Sequence, residues 1–207
     1  AEHALDVLSR LVREAGRPGA VVYSPSDLPA SGLDRVQVNG LVDQLRVLPE
    51  RRDSAVLRPL EDCYPQTPIQ QGLWFQSQFS QGEGVYHVQM VLSIDQELDL
   101  DVFARSWSQV MRRHSILRTG FWTTEDNQAL QLVWADVPVP LRTQDWRSQS
   151  SWEQQHSLDA YLEQDRVQGF APEEMPQWRI LLARTADQGY QLVWSAHHAI
   201  LDGWSIS

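Results

Sequence analysis

Apolar residues recur along this chain at two spacings, every three to four residues in some stretches and every second residue in others, which predicts intermixed helices and strands. Residues 1 to 15 set Leu5, Leu8, Leu11 and Val12 on one helical stripe, ended by Gly16-Arg17-Pro18-Gly19. A loop through Ser24-Pro25-Ser26-Asp27-Leu28-Pro29 leads to a second helix from Asp34 to Leu45, and Glu50-Arg51-Arg52-Asp53 reads as a surface linker. The core begins near Leu60. Pro68 suits a first helical position, with the helix running through Gln70 to Gln78 and a loop at Gln81-Gly82-Glu83-Gly84. Val88, Met90, Leu92 and Ile94 then alternate as a strand, and Asp99 caps a helix whose Leu100, Phe103, Trp107 and Val110 form an apolar face. Leu117 to Trp122 and Leu130 to Trp134 read as strands, and Ser151 caps a helix ending near Gln168. Trp178 to Arg184 pairs with Tyr190 to Ser195 across Asp187-Gln188-Gly189, the latter strand half-buried by its alternation. Such mixing predicts an α/β sandwich.

Composition narrows the function classes. At 207 residues and 42% hydrophobic, the chain can build one sizeable core, or one and a half small ones. No apolar run approaches the roughly 20 residues of a membrane span, and no signal peptide is present. A first residue of Ala1 suggests excision from a longer chain. The net charge of −10 argues against nucleic acid or an anionic membrane as partner. Cys63, the single cysteine, reads as a small buried hydrophobe and not a nucleophile. All 17 basic residues are arginine, which removes a Schiff-base or phosphate-loop lysine from the possible mechanisms. Nine tryptophans are many for this length, and Trp107, Trp134 and Trp194 fall on periodic apolar positions of the core.

The chemistry concentrates in the final eleven residues, His197-His198-Ala199-Ile200-Leu201-Asp202-Gly203-Trp204-Ser205-Ile206-Ser207. They follow the last strand where it gives way to loop, and they combine a proton acceptor, a carboxylate and exposed backbone in the manner of an acyl-transfer site. A metal pair is disfavoured. Adjacent residues of an extended segment point to opposite faces, and His198 with Asp202 makes only two ligands. Asp202 also suits the N-cap of a following helix.

Two further blocks precede this one, Tyr64-Pro65-Gln66-Thr67-Pro68-Ile69-Gln70-Gln71-Gly72-Leu73-Trp74-Phe75 and Arg113-His114-Ser115-Ile116-Leu117-Arg118-Thr119-Gly120-Phe121. With these three motifs in order, and with Pro176 and Arg179 in the run Phe170 to Arg179, the chain resembles a nonribosomal peptide synthetase condensation domain. The resemblance implies an α/β sandwich of the chloramphenicol acetyltransferase type, of which only the N-terminal lobe is present. Residues 59–207 are then that lobe, and residues 1–58 are upstream helices and interdomain linker, the tail of a preceding synthetase domain.

The implied reaction is amide-bond formation between two substrates held as phosphopantetheine thioesters on an upstream donor and a downstream acceptor carrier domain. No intrinsically bound cofactor is implied. The resemblance makes His198 the group at the amine, His197 its structural neighbour, Asp202 a buried structural carboxylate, and Gly203 a point of close backbone approach. Arg118, then Arg113, is the expected ion-pair partner of Asp202, because an unpaired buried charge is expensive. His114, Gln70 and Trp74 are expected to be structural. The lobe alone is expected to be inactive without its missing C-terminal partner, and the synthetase to be cytoplasmic.

Two alternatives share the fold: a catalytically silent carrier-binding module, against which the presence of both His198 and Asp202 argues, and a coenzyme A-dependent acyltransferase. A free-standing enzyme of the latter kind would show a start methionine and no upstream helix-linker segment. The first block and Leu201 look most like condensation domains that accept a donor ending in a D-residue, and residues 23–29 resemble a linker that follows an epimerisation domain.

Overall fold

The computed structural model describes residues 23–46, 60–79, 84–172 and 174–202. The expected helix over residues 1 to 15, the linker at 50–53 and Gly203 lie outside the described residues. The chain divides into two compact units, residues 1–65 with 123–136, and residues 66–122 with 137–207.

In the first unit, Asp34 accepts from the amides of Val36 and Gln37 at 2.8 and 2.9 Å while the Gln37 side chain receives the Asp34 amide, a reciprocal cap that starts helix α1 (Arg35–Arg46). Val38, Leu41, Val42 and Leu45 of α1 are buried. Strand β1 (Leu60–Pro65) pairs antiparallel with β4 (Ala129–Trp134), with a register shift between Leu60 and Asp62. Cys63 faces Leu132 across this ladder and is fully buried. Burial and the neighbouring Asp62 charge push its thiol up to about 12, which fits the expected inert hydrophobe.

The second unit holds helix α2 (Pro68–Phe79), β2 (His87–Ile94), α3 (Leu100–Arg113), β5 (Leu141–Asp145), α4 (Ser151–Gln168), β6 (Trp178–Ala186) and β7 (Gly189–His197). A further strand, β3 (Thr119–Thr123), ends where the chain passes into the first unit. Four of these strands form a sheet in the order β2-β7-β6-β5. β7 pairs antiparallel with both neighbours, and β5 pairs parallel with β6 through the α4 crossover.

Helix α4 covers one face of this sheet, where Trp146, Leu158, Leu181, Ala183 and Val193 form a core with Tyr161 and Leu162 against it. On the other face Trp107 of α3 meets Trp178 with ring centroids 5.1 Å apart. β7 is therefore covered on both sides and buried almost throughout, not half-buried as alternation suggested. A central strand between two helical layers has no solvent face.

The caps follow their chemistry. Asp99 accepts from the Asp101 and Val102 amides, both at 2.9 Å, and starts α3. Helix α4 begins one residue earlier than expected: Ser150, not Ser151, is the N-cap, locked to Glu153 in a capping box.

Candidate active site

β7 delivers both histidines to one end of the sheet. His197 is its last residue, opposite His87 of β2, and His198 begins the turn that follows. Backbone bonds set this exit: the His197 amide donates to Gln177 O at 3.0 Å, His198 to Tyr86 O at 2.8 Å, and Ile200 back to His197 O at 3.1 Å.

The two rings occupy opposite environments. His197 is 3% exposed, stacked on Trp74 with centroids 3.8 Å apart and planes 5° from parallel. Its Nδ1 accepts the Ala199 amide at 3.1 Å, so the ring proton sits on Nε2 and donates to Ser77 Oγ at 3.0 Å. Burial, and secondarily the charges of His87 and His198, depress its basicity to about 4, so His197 is neutral at physiological pH.

His198 is half-buried. Its Nδ1 lies 2.7 Å from Leu201 O, and because a carbonyl can only accept, Nδ1 is the donor, which makes Nε2 the acceptor nitrogen of the neutral ring. Of the two adjacent imidazoles, His198 is thus the one with a ring nitrogen, Nε2, not engaged by Leu201 O or by the stacked Trp74.

Asp202 is exposed, where the sequence led us to expect a buried carboxylate. Arg118 is buried, with Nε donating to Met111 O at 2.8 Å, and Arg113 is exposed in the last turn of α3. His114 is exposed at the C-cap of α3, a structural place.

The buried carboxylate is instead Asp165, on the inner face of α4. It accepts from His87 Nε2 at 2.8 Å, Gln89 Nε2 at 2.7 Å, Ser195 Oγ at 2.6 Å and Arg179 Nε. Burial pushes its carboxyl up, but the hydrogen bonds from His87, Ser195 and Arg179, with the Arg179 charge, more than offset that and hold it well below the usual carboxylate range. Arg179 also donates to the carbonyls of Asp165 and Gly169, and its guanidinium lies 4.2 Å from the centre of the Phe170 ring. The cluster ties α4, β2, β6 and β7 together two residues before His197. Its signal in the sequence was a carboxylate on an apolar stripe, since Leu158, Tyr161 and Leu162 precede Asp165 at helical spacing.

Gln70 and Trp74, expected to be packing residues, touch the motif directly. Gln70 Nε2 donates to Ala199 O at 3.2 Å, and Trp74 carries the His197 stack. Ser77, which no sequence pattern singled out, completes the contact.

The condensation domain family matches residues 60–207. One of the linear gramicidin synthase proteins of Brevibacillus parabrevis is 36% identical over 206 residues, covering 100% of this chain and 4% of that protein. Bacitracin synthase 3 of Bacillus licheniformis is 27% identical over 205 residues, 99% of this chain and 3% of that protein. The chain thus spans a small fraction of the synthases it matches. Among solved structures, a holo four-domain nonribosomal peptide synthetase bound to AMP and glycine superimposes with a TM-score of 0.62 at 22% identity, over 76% of this chain and 12% of that one. The starter condensation domain of rhizomide synthetase gives a TM-score of 0.61 at 20% identity, over 69% of this chain and 35% of that one. The fold is accordingly the α/β sandwich of condensation domains, of the chloramphenicol acetyltransferase type, present here in part. The chain belongs to the condensation domain family of nonribosomal peptide synthetases.

Proposed function

We propose that this chain supplies the histidine-bearing lobe of a site that joins two carrier-bound substrates through an amide bond. The observation that carries the reading is the 2.7 Å hydrogen bond from His198 Nδ1 to Leu201 O, which makes Nε2 the acceptor nitrogen of the neutral ring. The acceptor amine attacks the donor thioester carbon, the C–N bond forms, and the C–S bond breaks as the tetrahedral intermediate collapses. His198 Nε2 accepts or hydrogen-bonds the proton leaving nitrogen, and the departing thiolate of the pantetheine arm takes a proton in its turn. Holding both arms in line supplies much of the rate. The 4'-phosphopantetheine arms come from upstream donor and downstream acceptor carrier domains, and a C-terminal lobe closes the site against water. Residues 1–58 are the tail of a preceding domain with its linker; the family match that begins at residue 60 supports this, as does a synthase relative that aligns along the whole chain. Arg118 steadies the turn by pairing with Asp202, and Gly203 admits the substrate arm. Among the described residues no helix is long and apolar enough to cross a membrane, and a cytoplasmic location is part of the proposal.

The test uses the intact synthetase with both carriers loaded. His198→Ala should lower single-turnover amide formation by about 10²- to 10⁴-fold with the melting temperature nearly unchanged. Wild-type rates in that variant would remove His198 from the chemistry. The donor is proposed to end in a D-residue, on the first motif block, Leu201 and the run 23–29. Matched D- and L-terminated donors on one carrier decide it, and faster condensation of the L-donor would overturn the assignment.

A further inference from the structure

Helix α2 grips the catalytic turn through a closed ring of hydrogen bonds. Gln70, Trp74 and Ser77 stand at positions i, i+4 and i+7, one face of the helix. The more apolar Ile69, Phe75 and Phe79 are left exposed. The face turned to the turn thus combines directional contacts from Gln70 and Ser77 with the buried ring of Trp74.

The donors run in one sense around the ring. Gln70 Nε2 donates to Ala199 O at 3.2 Å, the Ala199 amide donates to His197 Nδ1 at 3.1 Å, and His197 Nε2–H donates to Ser77 Oγ at 3.0 Å. Ser77 Oγ–H closes the ring on the same helix at Leu73 O, 2.9 Å away. Only the neutral Nε2–H form of His197 satisfies both of its neighbours, since a proton on Nδ1 would face the Ala199 N–H donor. His198 lies between the two residues so held, and its own amide is fixed on Tyr86 O.

We propose that Ser77 is a positioning residue of the condensation site, acting through His197 to set the direction in which His198 Nε2 points. The proposal rests on the functional reading above. A base must come within about 2.6 to 3.2 Å of the proton it handles, and a displacement of about 1 Å can cost a hundredfold in rate. A hydroxyl that selects the His197 tautomer therefore controls turnover without touching substrate. The titratable or charged groups around His197 are Tyr86 beside β2, His87 on β2, His198 in the turn, and Arg166 of α4, which lines the same cavity of about 460 Å³; α2 contributes none.

The experiment measures kcat and KM for loaded carriers in the intact synthetase across pH. Ser77→Ala should lower kcat by about tenfold, with both KM values within about twofold of wild type, and Ser77→Thr should recover kcat to within about threefold. Ser77→Asp sets a carboxylate against His197 Nε2–H and favours the imidazolium, which turns a second N–H toward the Ala199 amide. That variant should gain an acid limb in its kcat profile that the neutral Ser77→Asn lacks, a signature a merely structural serine would not give. Wild-type kcat in Ser77→Ala, or matching pH profiles for Ser77→Asp and Ser77→Asn, would overturn the proposal alone. Absence of amide product from the wild-type synthetase would overturn the functional reading and the proposal with it.

Discussion

Hydrogen-bond partners give two neighbouring imidazoles opposite donor patterns, His197 accepting at Nδ1 and His198 donating from it. His197 folds into a site that favours its neutral form, with basicity lowered to about 4 from an ordinary 6.5. A base depressed in the folded state contributes stability that is full above the unfolded value and lost as pH falls from about 6.5 to about 4, on the order of 3 kcal/mol in all. Denaturant midpoints taken across that window should fall for the wild type, and His197→Gln should flatten the slope. Asp165 follows the same sign in a lower window: an acid held low contributes stability above its unfolded value near 3.8 and loses it as pH falls further. Its amide, Asp165→Asn, leaves the Arg179 guanidinium with only the more distant and more exposed Glu174 carboxylate, 3.8 Å away. A loss of about 3 to 5 kcal/mol at neutral pH is expected, read from the same midpoints. The histidine pair was legible because its residue types are rare and adjacent, and Arg179 was noticed beside Pro176. Asp165 was not legible, because its four donors come from segments up to 78 positions away and only the fold brings them together.

Elements were legible where one local rule dominated. Helix α3 declared itself through Asp99 and an apolar face, and the β6–β7 hairpin through alternation around Asp187-Gln188-Gly189. Two strands were missed for physical reasons. β1 reads Leu-Glu-Asp-Cys-Tyr-Pro, and the register shift between Leu60 and Asp62 replaces alternation with burial at a spacing of three. β5 reads Leu-Arg-Thr-Gln-Asp, polar because it is an edge strand bonded to β6 alone, so little of it meets the core. Helix α4 connects this edge to β6 and carries Asp165, so its start matters to the site. Ser150→Ala removes the acceptor for the Glu153 amide and half of the capping box. A destabilisation of about 1 kcal/mol is expected, visible as faster amide exchange in the first turn of α4. Unchanged exchange there would show that tertiary packing alone holds the helix end.

At the scale of the whole molecule, the proposed activity divides between what this chain holds and what an assembled domain would add. The chain spans 35% of the rhizomide starter condensation domain chain it superimposes on, and His198 is only half-buried within it. Positioning of the ring is nonetheless complete inside this lobe, since the bonds to Leu201 O, Tyr86 O and the α2 ring all arise from residues 66–202. Tautomer and direction are therefore local properties, whereas in the proposed function water exclusion and the alignment of two pantetheine arms would be properties of the assembly. The two contributions separate in one experiment. Residues 1–207 produced alone should form no measurable amide from loaded carriers, while the intact synthetase does. His198 in the isolated chain should still carry its proton on Nδ1, detectable from the ¹⁵N shifts of its ring nitrogens. Amide formation by the isolated chain near the intact rate would show that one lobe suffices. A ring that exchanges freely between tautomers would place its orientation in the assembly instead, and would move the control of His198 away from α2.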